Sequence, residues 1–384
     1  MRLVYLSPVP WESFAQRPHK FVEWFHGRTG EPVLWVDPYP TRFPGCRDLR
    51  RSRLSASASP HTSPPTWLTL LKPGGLPIEP IPGSGWVNGL MWQGHMRTIG
   101  DFVTGGRTLL AIGKPSVLAL ELLKRLRDCS SLYDAMDDFP AFYAGISRFA
   151  LMRREREIAQ RVDVILASSS ALKSRWMDFH KDVRLVHNGL DLSAVQLATQ
   201  EKPMQASSPK NVLGYIGTIA SWFDWEWVCT LAEARPYDEI RLIGPVFERV
   251  PDKLPGNINL LPACSHVEAL KAMKQFRVGL IPFKKNELTA SVDPIKYYEY
   301  RALGLPVIST DFGEMKLRVG EQGVFITHFL SDIPVMADSA IQFLEDESDA
   351  NAFAIQNTWE ARFNAAKLLL WLYAMKALLG FLVF

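Results

Sequence analysis

Cysteine is scarce and scattered. The chain has four, Cys46, Cys129, Cys229 and Cys264, and no two form a C-x-x-C pair. That spacing argues against a zinc site, a redox motif and a disulfide framework, so a reduced, intracellular setting fits best. An excess of one charge is missing too. Lysine and arginine number 43, aspartate and glutamate 40, for a formal net charge of +3. Nucleic-acid binding calls for a strong basic face, which this balance does not provide. Loose attraction to an anionic membrane surface is compatible with it. Long apolar runs are absent until the end of the chain. The opening residues, MRLVYLSPVPWESF, turn polar too soon for a signal peptide. Only 368–384, LLLWLYAMKALLGFLVF, stays apolar, with one charge, Lys376, at its middle. That length is at the short edge of a membrane span. A core-facing final helix is the first reading and contact with a membrane surface the second.

What remains is the composition of a folded protein, 47% hydrophobic and 22% charged, over 384 residues, enough for two domains. Short runs rich in Val, Ile and Leu alternate with helical stretches. Strands are expected at 2–7, 32–36, 108–113, 130–136, 162–169 and 183–189. Helices are expected at 14–26, 116–126, 140–161 and 170–179. From 38 to 82 the pattern dissolves under ten prolines; it reads as loop, with one strand near LPIEPIP. Residues 192–210 read as a polar linker. The alternation then restarts with NVLGYIGTI, EIRLIGP, INLLP, RVGLIPF and PVIST as strands, and helices at 223–234, 266–275 and 293–303. Such alternation predicts mostly parallel sheets covered on both faces. The expected class is α/β, with two Rossmann-like domains facing across a cleft. They are an N-terminal domain at 1–191 and a C-terminal one at 211–355. A final helix at 356–384 packs back on the first domain or on a membrane. Ligands of such sheets bind outside the carboxyl ends of the strands.

One stretch carries more than fold. In DPIKYYEYRALGLPVIST (293–310), Asp293 is placed as an N-cap and Pro294 as the first helical residue. Lys296, Glu299 and Tyr300 share one face, three and four residues apart. A helix start offers free N–H groups and a partial positive charge to a phosphate, and a lysine in its first turn adds a full one. A carboxylate one turn on can accept two hydrogen bonds from a ribose diol. The plain alternative is a surface Lys–Glu pair. The position of the helix, after IPF and before GLPVIST, favours the ligand reading, because its start then lies at the carboxyl edge of the second sheet.

PIKYYEYRALGLPVIST resembles the nucleotide-sugar-binding signature of GT-B glycosyltransferases, particularly bacterial polysaccharide enzymes of the retaining family-four type. NVLGYIGTIASWFDWEWV, EIRLIGP, RVGLIPFKKNELTASVDP and VHNGLDL resemble other segments of that group. The resemblance runs from about 132 to 362 and is weak over the first hundred residues. Two departures stand out. Many retaining members carry two Glu separated by seven residues; Glu299 matches the second, but Ser291 holds the place of the first. The basic pair that often binds the diphosphate is also missing after GYIGTI. In these respects the chain is similar to the glucuronosyltransferase of xanthan synthesis, which uses a lysine on the equivalent helix and inverts the anomeric carbon. Retention or inversion stays open.

The resemblance implies a cytoplasmic enzyme, with peripheral contact to the inner face of the cell membrane as an option. It would move a sugar from an NDP-sugar, UDP or GDP, to a lipid-linked saccharide of a growing polysaccharide or oligosaccharide, without a cofactor and without nucleic acid. A non-catalytic nucleotide-sugar-binding scaffold and an NDP-sugar epimerase are the alternatives. The donor set is Gly217, Thr218, Gly244, Pro245, Phe283, Ile295, Lys296, Glu299 and Tyr300, with backbone N–H groups at the two glycine turns meeting phosphate and Phe283 packing on a base. Transfer also needs help at the acceptor hydroxyl. In YDAMDDFPAF, Asp134 ends a strand and Asp137 and Asp138 follow; adjacent carboxylates raise each other's pKa, which suits a base. The alternative is that Asp138 caps the helix from Phe139 while Asp137 is solvated. The spacing is wrong for a D-x-D metal site, so no metal is expected. Trp11, Arg17 and His19 are candidates for the acceptor, though an ordinary surface histidine is the favoured reading of His19. Gly189, in His187-Asn188-Gly189, reads as a turn. The tryptophans of WFDWEW (222–227) read as core. Arg47, Arg50, Arg51 and Arg53 read as a solvated loop or as a grip on pyrophosphate or lipid head groups.

Overall fold

The protein is described from a computed structural model that covers residues 1–43, 63–200 and 210–372. It divides into two compact units. One is residues 1–187 together with the chain from Phe363 onward; the other is Asn188–Arg362. Each is a parallel sheet with helical crossovers, the Rossmann-like α/β arrangement.

The first unit holds β1 (Arg2–Leu6), β2 (Val33–Val36), β3 (Leu68–Leu71), β4 (Thr108–Ile112), β5 (Ser130–Ala135), β6 (Val164–Ala167) and β7 (Val183–Leu185). Their order is β3-β2-β1-β4-β5-β6-β7, every pair parallel. Its helices are α1 (Arg17–Thr29), α2 (Ser84–Met91), α3 (Gln93–Thr104), α4 (Val117–Arg125), α5 (Gly145–Arg161) and α6 (Ser170–Met177). The central strands, VLWV and VILA among them, are buried along their whole length. Helices on both faces leave them no solvated side, which is why they do not alternate.

The second unit begins with α7 (Leu192–Gln200). It continues through β8 (Val212–Ile216), α8 (Trp225–Ala234), β9 (Glu239–Ile243), β10 (Ile258–Leu261), α9 (His266–Met273), β11 (Val278–Ile281), α10 (Ile295–Ala302), β12 (Val307–Thr310) and β13 (Val324–Thr327). It ends with α11 (Ile333–Gln342) and α12 (Glu347–Gln356); α13 (Trp359–Ala365) carries the chain back to the first unit's residues. The sheet order is β10-β9-β8-β11-β12-β13, again parallel. Strand order therefore reverses between β1 and β4 in one unit and between β8 and β11 in the other. At these switch points the crossovers leave in opposite directions and open a crevice at the carboxyl edge.

The structure corrects several expectations. The strand placed near LPIEPIP does not form. Pro77, Pro80 and Pro82 remove the N–H donors that a ladder needs, and the edge strand is β3 instead. Residues 84–104, passed over in the sequence, form α2 and α3; the four glycines Gly85, Gly89, Gly94 and Gly100 weaken the local helical signal. The front of the supposed linker is helix α7, whose Ala194, Val195 and Ala198 are buried. It is held to α9 by the Lys274 ammonium, which donates to the Ala198 carbonyl at 3.0 Å. The rest of that linker, the cluster Arg47, Arg50, Arg51 and Arg53, and residues 373–384 lie outside the described residues. The C-terminal chain that is described packs on the first unit. Phe363 meets Phe21 and Trp24 with ring centroids 5.3 and 5.4 Å apart, and the Trp24 indole N–H donates to Asn364 at 3.0 Å. Among the described residues no helix is long and apolar enough to cross a membrane.

One backbone approach in the second unit depends on glycine. Gly244, at the end of β9, has φ +144°, and a Cβ there would lie 2.2 Å from the Gly217 carbonyl oxygen. Gly244→Ala should therefore cost at least about 2 kcal/mol through combined clash and backbone strain. Gly256→Ala, whose Cβ meets nothing within 4 Å, should be near neutral. Urea midpoints followed by tryptophan fluorescence check the contrast; equal midpoints would refute it.

Candidate functional site

Helix α10 begins at Ile295, with Pro294 as its N-cap and no side-chain capping bond. Asp293 is thus not the cap the sequence suggested. Its carboxylate is buried and accepts from Arg318 Nη2 at 2.8 Å, from the Tyr298 hydroxyl at 2.9 Å and from the Asn188 N–H at 2.7 Å. Asn188 also donates its side-chain N–H to the Asp293 carbonyl at 2.7 Å. Gly189 lets the 357–359 backbone pass close by, since a Cβ there would lie 2.8 Å from the Trp359 nitrogen. A buried carboxylate with a guanidinium and several hydrogen-bond donors makes a rigid anchor. It fixes where the first turn of α10 starts.

That turn carries Lys296. The side chain is half-buried and its ammonium lies 5.1 Å from the centre of the Tyr215 ring and 5.6 Å from that of Phe283. It makes no hydrogen bond or ion pair with any described residue. Burial pulls its pKa down from 10.5 to about 8, against the upward pull of Glu299. The aromatic faces compensate part of the lost hydration through cation–π attraction. The amine abuts the backbone at the end of β8: a Cβ at Gly217, where φ is +142°, would lie 2.7 Å from Cε and Nζ. Gly217 and Phe283 follow β8 and β11, so the lysine stands at the switch point of this sheet.

The other expected donor residues fall into two groups. Phe283 is in the same aromatic cluster, 6.3 Å from Tyr215 and 5.0 Å from Phe312 between ring centres. Ile295, next to Lys296 in sequence, and Thr218, next to Gly217, are half-buried, and the Thr218 carbonyl accepts from the Tyr215 hydroxyl at 2.8 Å. Glu299 is partnered by a residue the sequence reading missed: its carboxylate lies 2.7 Å from His266 Nε2. His266 opens α9 just after Ser265, whose S-x-x-E capping box with Glu268 forms as such a sequence predicts. That box was the available signal that a helix start lies here.

Three residues are placed differently from their expected roles. Tyr300 is fully buried, its hydroxyl accepting from the Ile216 N–H at 3.2 Å and donating to the Gly214 carbonyl at 3.3 Å, so it belongs to the core of the unit. The N–H groups of Gly217 and Gly244 are not free for phosphate. They donate to the carbonyls of Ile243 at 2.9 Å and Leu261 at 3.1 Å, which extends the parallel ladder beyond the strands. Pro245 follows with no N–H, and its carbonyl accepts from Ile219 at 2.9 Å. Trp225 and Trp227 are buried, Trp227 donating to Thr327 at 2.8 Å.

In the first unit, neighbouring carboxylates have opposite surroundings. Asp134 is fully buried and accepts from Arg17 Nε and from the Tyr5 hydroxyl, both at 2.9 Å. Asp138 pairs with Arg175 at 2.7 Å, and the same guanidinium holds Glu155 at 2.7 Å. Asp138 does occupy the N-cap position of the 3-10 turn Phe139–Phe142, but its side chain makes no capping bond, because Arg175 holds it. Asp137 between them makes no hydrogen bond or ion pair with any described residue. Burial raises its pKa to about 7, with Asp138 and Asp134 adding to the rise and Arg17 opposing it. Of the two aspartates expected to act as a base, only Asp137 is left unpaired.

Arg17 and His19 are structural where a substrate contact was expected. Arg17 is buried between Asp134 and the Val186 carbonyl, to which Nη1 donates at 2.6 Å. His19 is buried too, not on the surface. Its Nδ1 accepts from the Gln16 N–H at 3.2 Å, which leaves Nε2–H to donate to the Trp11 carbonyl at 3.1 Å. Burial pushes its pKa down, which favours the neutral ring. Trp11 is half-buried and packs edge-on against Trp35 with centroids 5.0 Å apart.

Comparison with known proteins adds the following. No protein-family model matches the chain. It is 26% identical over 198 residues to a Bacillus subtilis (strain 168) protein named "Putative teichuronic acid biosynthesis glycosyltransferase TuaH". The match covers 48% of this chain and 49% of the relative, so the chain spans about half the length of the curated relative it matches. Among solved structures, sucrose-phosphate synthase from Thermosynechococcus elongatus superposes with a TM-score of 0.65 at 12% identity, covering 98% of this chain and 100% of that one. The UDP-forming alpha,alpha-trehalose-phosphate synthase from Burkholderia vietnamiensis gives a TM-score of 0.62 at 12% identity, covering 95% of both chains. At such identities these likenesses establish the fold, two Rossmann-like α/β domains of the GT-B type.

Proposed function

We propose that the chain is a glycosyltransferase that takes a sugar from an NDP-sugar, UDP- or GDP-linked, and adds it to a lipid-linked saccharide of a growing polysaccharide. The observation that carries this reading is Lys296: a half-buried ammonium with no hydrogen bond or ion pair to any described residue, in the first turn of a helix, at the switch point of a parallel sheet. Such a cation lacks only an anion, and a diphosphate supplies one. The likeness in sequence to a glycosyltransferase and the fold shared with a UDP-forming synthase support the same class.

In this reading Lys296 and the first N–H groups of α10 take up the negative charge that grows on the diphosphate as its bond to the anomeric carbon breaks. Glu299, steadied by His266, accepts the ribose hydroxyls. Asp137 removes the proton of the acceptor hydroxyl as its oxygen bonds to the anomeric carbon. A base at the acceptor is the inverting arrangement. Ser291, where retaining members carry Glu, agrees with it.

A thermal-shift screen across UDP, GDP, dTDP and ADP tests the donor site, since a ligand that binds only the folded state raises Tm. At least one should shift Tm, and Lys296→Ala should lose the shift. The sign of the pH effect follows from the lysine. In the free protein it loses its proton above about pH 8, and the diphosphate favours the charged form. Affinity should therefore be level below pH 8 and fall above it, by up to about tenfold per pH unit. A flat profile, or a full shift in Lys296→Ala, would remove the lysine from the site.

Asp137→Asn should leave nucleotide binding intact and lower turnover by about a hundredfold or more, in the range of a lost general base. Turnover of the parent should rise as the pH passes through about 7, where the carboxyl becomes ionised. Stability has the opposite sign. The folded state holds this proton more tightly than the unfolded chain, so the charge costs stability as the pH rises from 4 through 7. Asp137→Asn should thus be at least as stable as the parent at pH 8. Release of nucleotide from the donor by the two proteins, with NMR of the product anomer, decides the point; full rate in the variant would sink the assignment.

A further inference from the structure

Two helices of the first unit turn apolar residues outward. On α5, Ile146, Phe149, Arg153 and Arg156 follow one another at i, i+3, i+7 and i+10, which puts them on one stripe. The buried Leu151, Arg154, Glu155 and Ile158 take the opposite side. Ile146 is 70% and Phe149 72% exposed. On α2, Trp86 and Leu90, one turn apart, are 75% and 55% exposed. The outward stripe of a helix in a globular protein is normally polar or charged.

The two helices belong to one surface. Trp92 at the end of α2, Leu118 and Leu122 of α4 and Ile158 of α5 share a buried cluster on a single face of the sheet. α4 touches both α2 and α5. Glu79 ties all three together. Its carboxylate accepts from Arg154 Nη1 on α5 at 2.8 Å and from the Val117 N–H at the start of α4 at 3.1 Å. Its carbonyl accepts from the Ser84 hydroxyl at the start of α2 at 3.3 Å.

Exposed charge on this surface has one sign. Over 74–100 and 139–156 the acidic residues are Glu79 and Glu155. Both are buried, and Arg154 and Arg175 hold them at 2.8 and 2.7 Å. Arg153 and Arg156 are exposed and form no ion pair with a described residue. The Arg156 guanidinium lies over the Phe179 ring, 4.8 Å from its centre. A contiguous set of exposed apolar side chains marks an interaction surface. A lipid leaflet of negative charge matches both of its parts, with acyl chains for the apolar groups and head groups for the arginines. A second copy of the chain matches only one. Two-fold pairing repeats the same arginines, and these stretches bring no exposed acid to meet them.

We propose that the outer face of α2 and α5 docks the first unit on an anionic lipid surface. Trp86, Leu90, Ile146 and Phe149 enter the head-group layer, and Arg153 and Arg156 pair with lipid phosphates. This docking does not rest on the glycosyltransferase reading.

Co-sedimentation of the full chain with vesicles provides the test. One set holds equal parts phosphatidylglycerol and phosphatidylcholine, the other phosphatidylcholine alone. Two free arginines, at about fivefold each beside a charged leaflet, give a preference of about twentyfold for the anionic set, and added salt should shrink it. Arg153→Gln combined with Arg156→Gln should lose most of that preference. Trp86→Glu combined with Phe149→Glu should weaken binding to the anionic set by about tenfold or more. All four side chains are exposed, so both double variants should keep the parent Tm. Val335→Glu combined with Leu344→Glu, at exposed positions of the second unit, should bind as the parent does. No binding to the anionic set, equal binding to both sets, or an unchanged preference without the two arginines would overturn the proposal. So would parent affinity in a folded Trp86→Glu, Phe149→Glu variant, or an equal loss in the second-unit control. A parent dimer that the Trp86→Glu, Phe149→Glu variant breaks would give the face to a second copy and overturn it as well.

Discussion

An ammonium held in a crevice without an internal counter-charge is unstable on its own terms, and the second unit is organised around one. The fall of the Lys296 pKa from 10.5 to about 8 corresponds to about 3 kcal/mol against the charged form. The protein could relieve this with a carboxylate within reach, yet Glu299 is turned to His266 at 2.7 Å. It offers the rings of Tyr215 and Phe283 instead, which soften the penalty without cancelling it. What is left is a charge that no described residue neutralises by a hydrogen bond or ion pair.

Holding such a charge in place takes rigid surroundings, and each unit supplies them by buried ion pairs reinforced by hydrogen bonds. Asp293 with Arg318, Tyr298 and Asn188 fixes the start of α10. Asp134 with Arg17 and Tyr5 does the same beneath the loop that bears Asp137. These pairs contribute little net stability compared with an apolar core, but breaking one would leave a buried charge alone. Their value here is geometric. The same contrast separates Asp137 from Asp138: one step along the chain replaces an arginine partner with none, and a structural carboxylate gives way to a titrating one.

The parallel sheets place these groups. In both units the strand order reverses at the first strand, and in both a half-buried lysine follows at the carboxyl edge, Lys114 beside β4 and Lys296 beside β8 and β11. One crevice is lined with aromatic rings and a helix start; the other is lined with hydroxyls and a fixed carboxylate.

Much of this was legible in the order of residues. Apolar strand runs spaced by helical stretches can close only as parallel sheets, because crossovers cover both faces; and PIKYYEY placed a lysine in the first turn of a helix before any contact was known. Proline and glycine hid the rest, as 84–104 shows: local propensity there is weak and packing makes the helices. No local signal could tell Asp137 from Asp138, or make Arg17 and Tyr300 structural, since each answer depends on a partner far along the chain: Arg175, Asp134 and Gly214. The sequence by itself determined which elements form and which charges lie at their ends. Only the tertiary structure decided which of those charges are neutralised, because pairing and burial are properties of distant residues brought together.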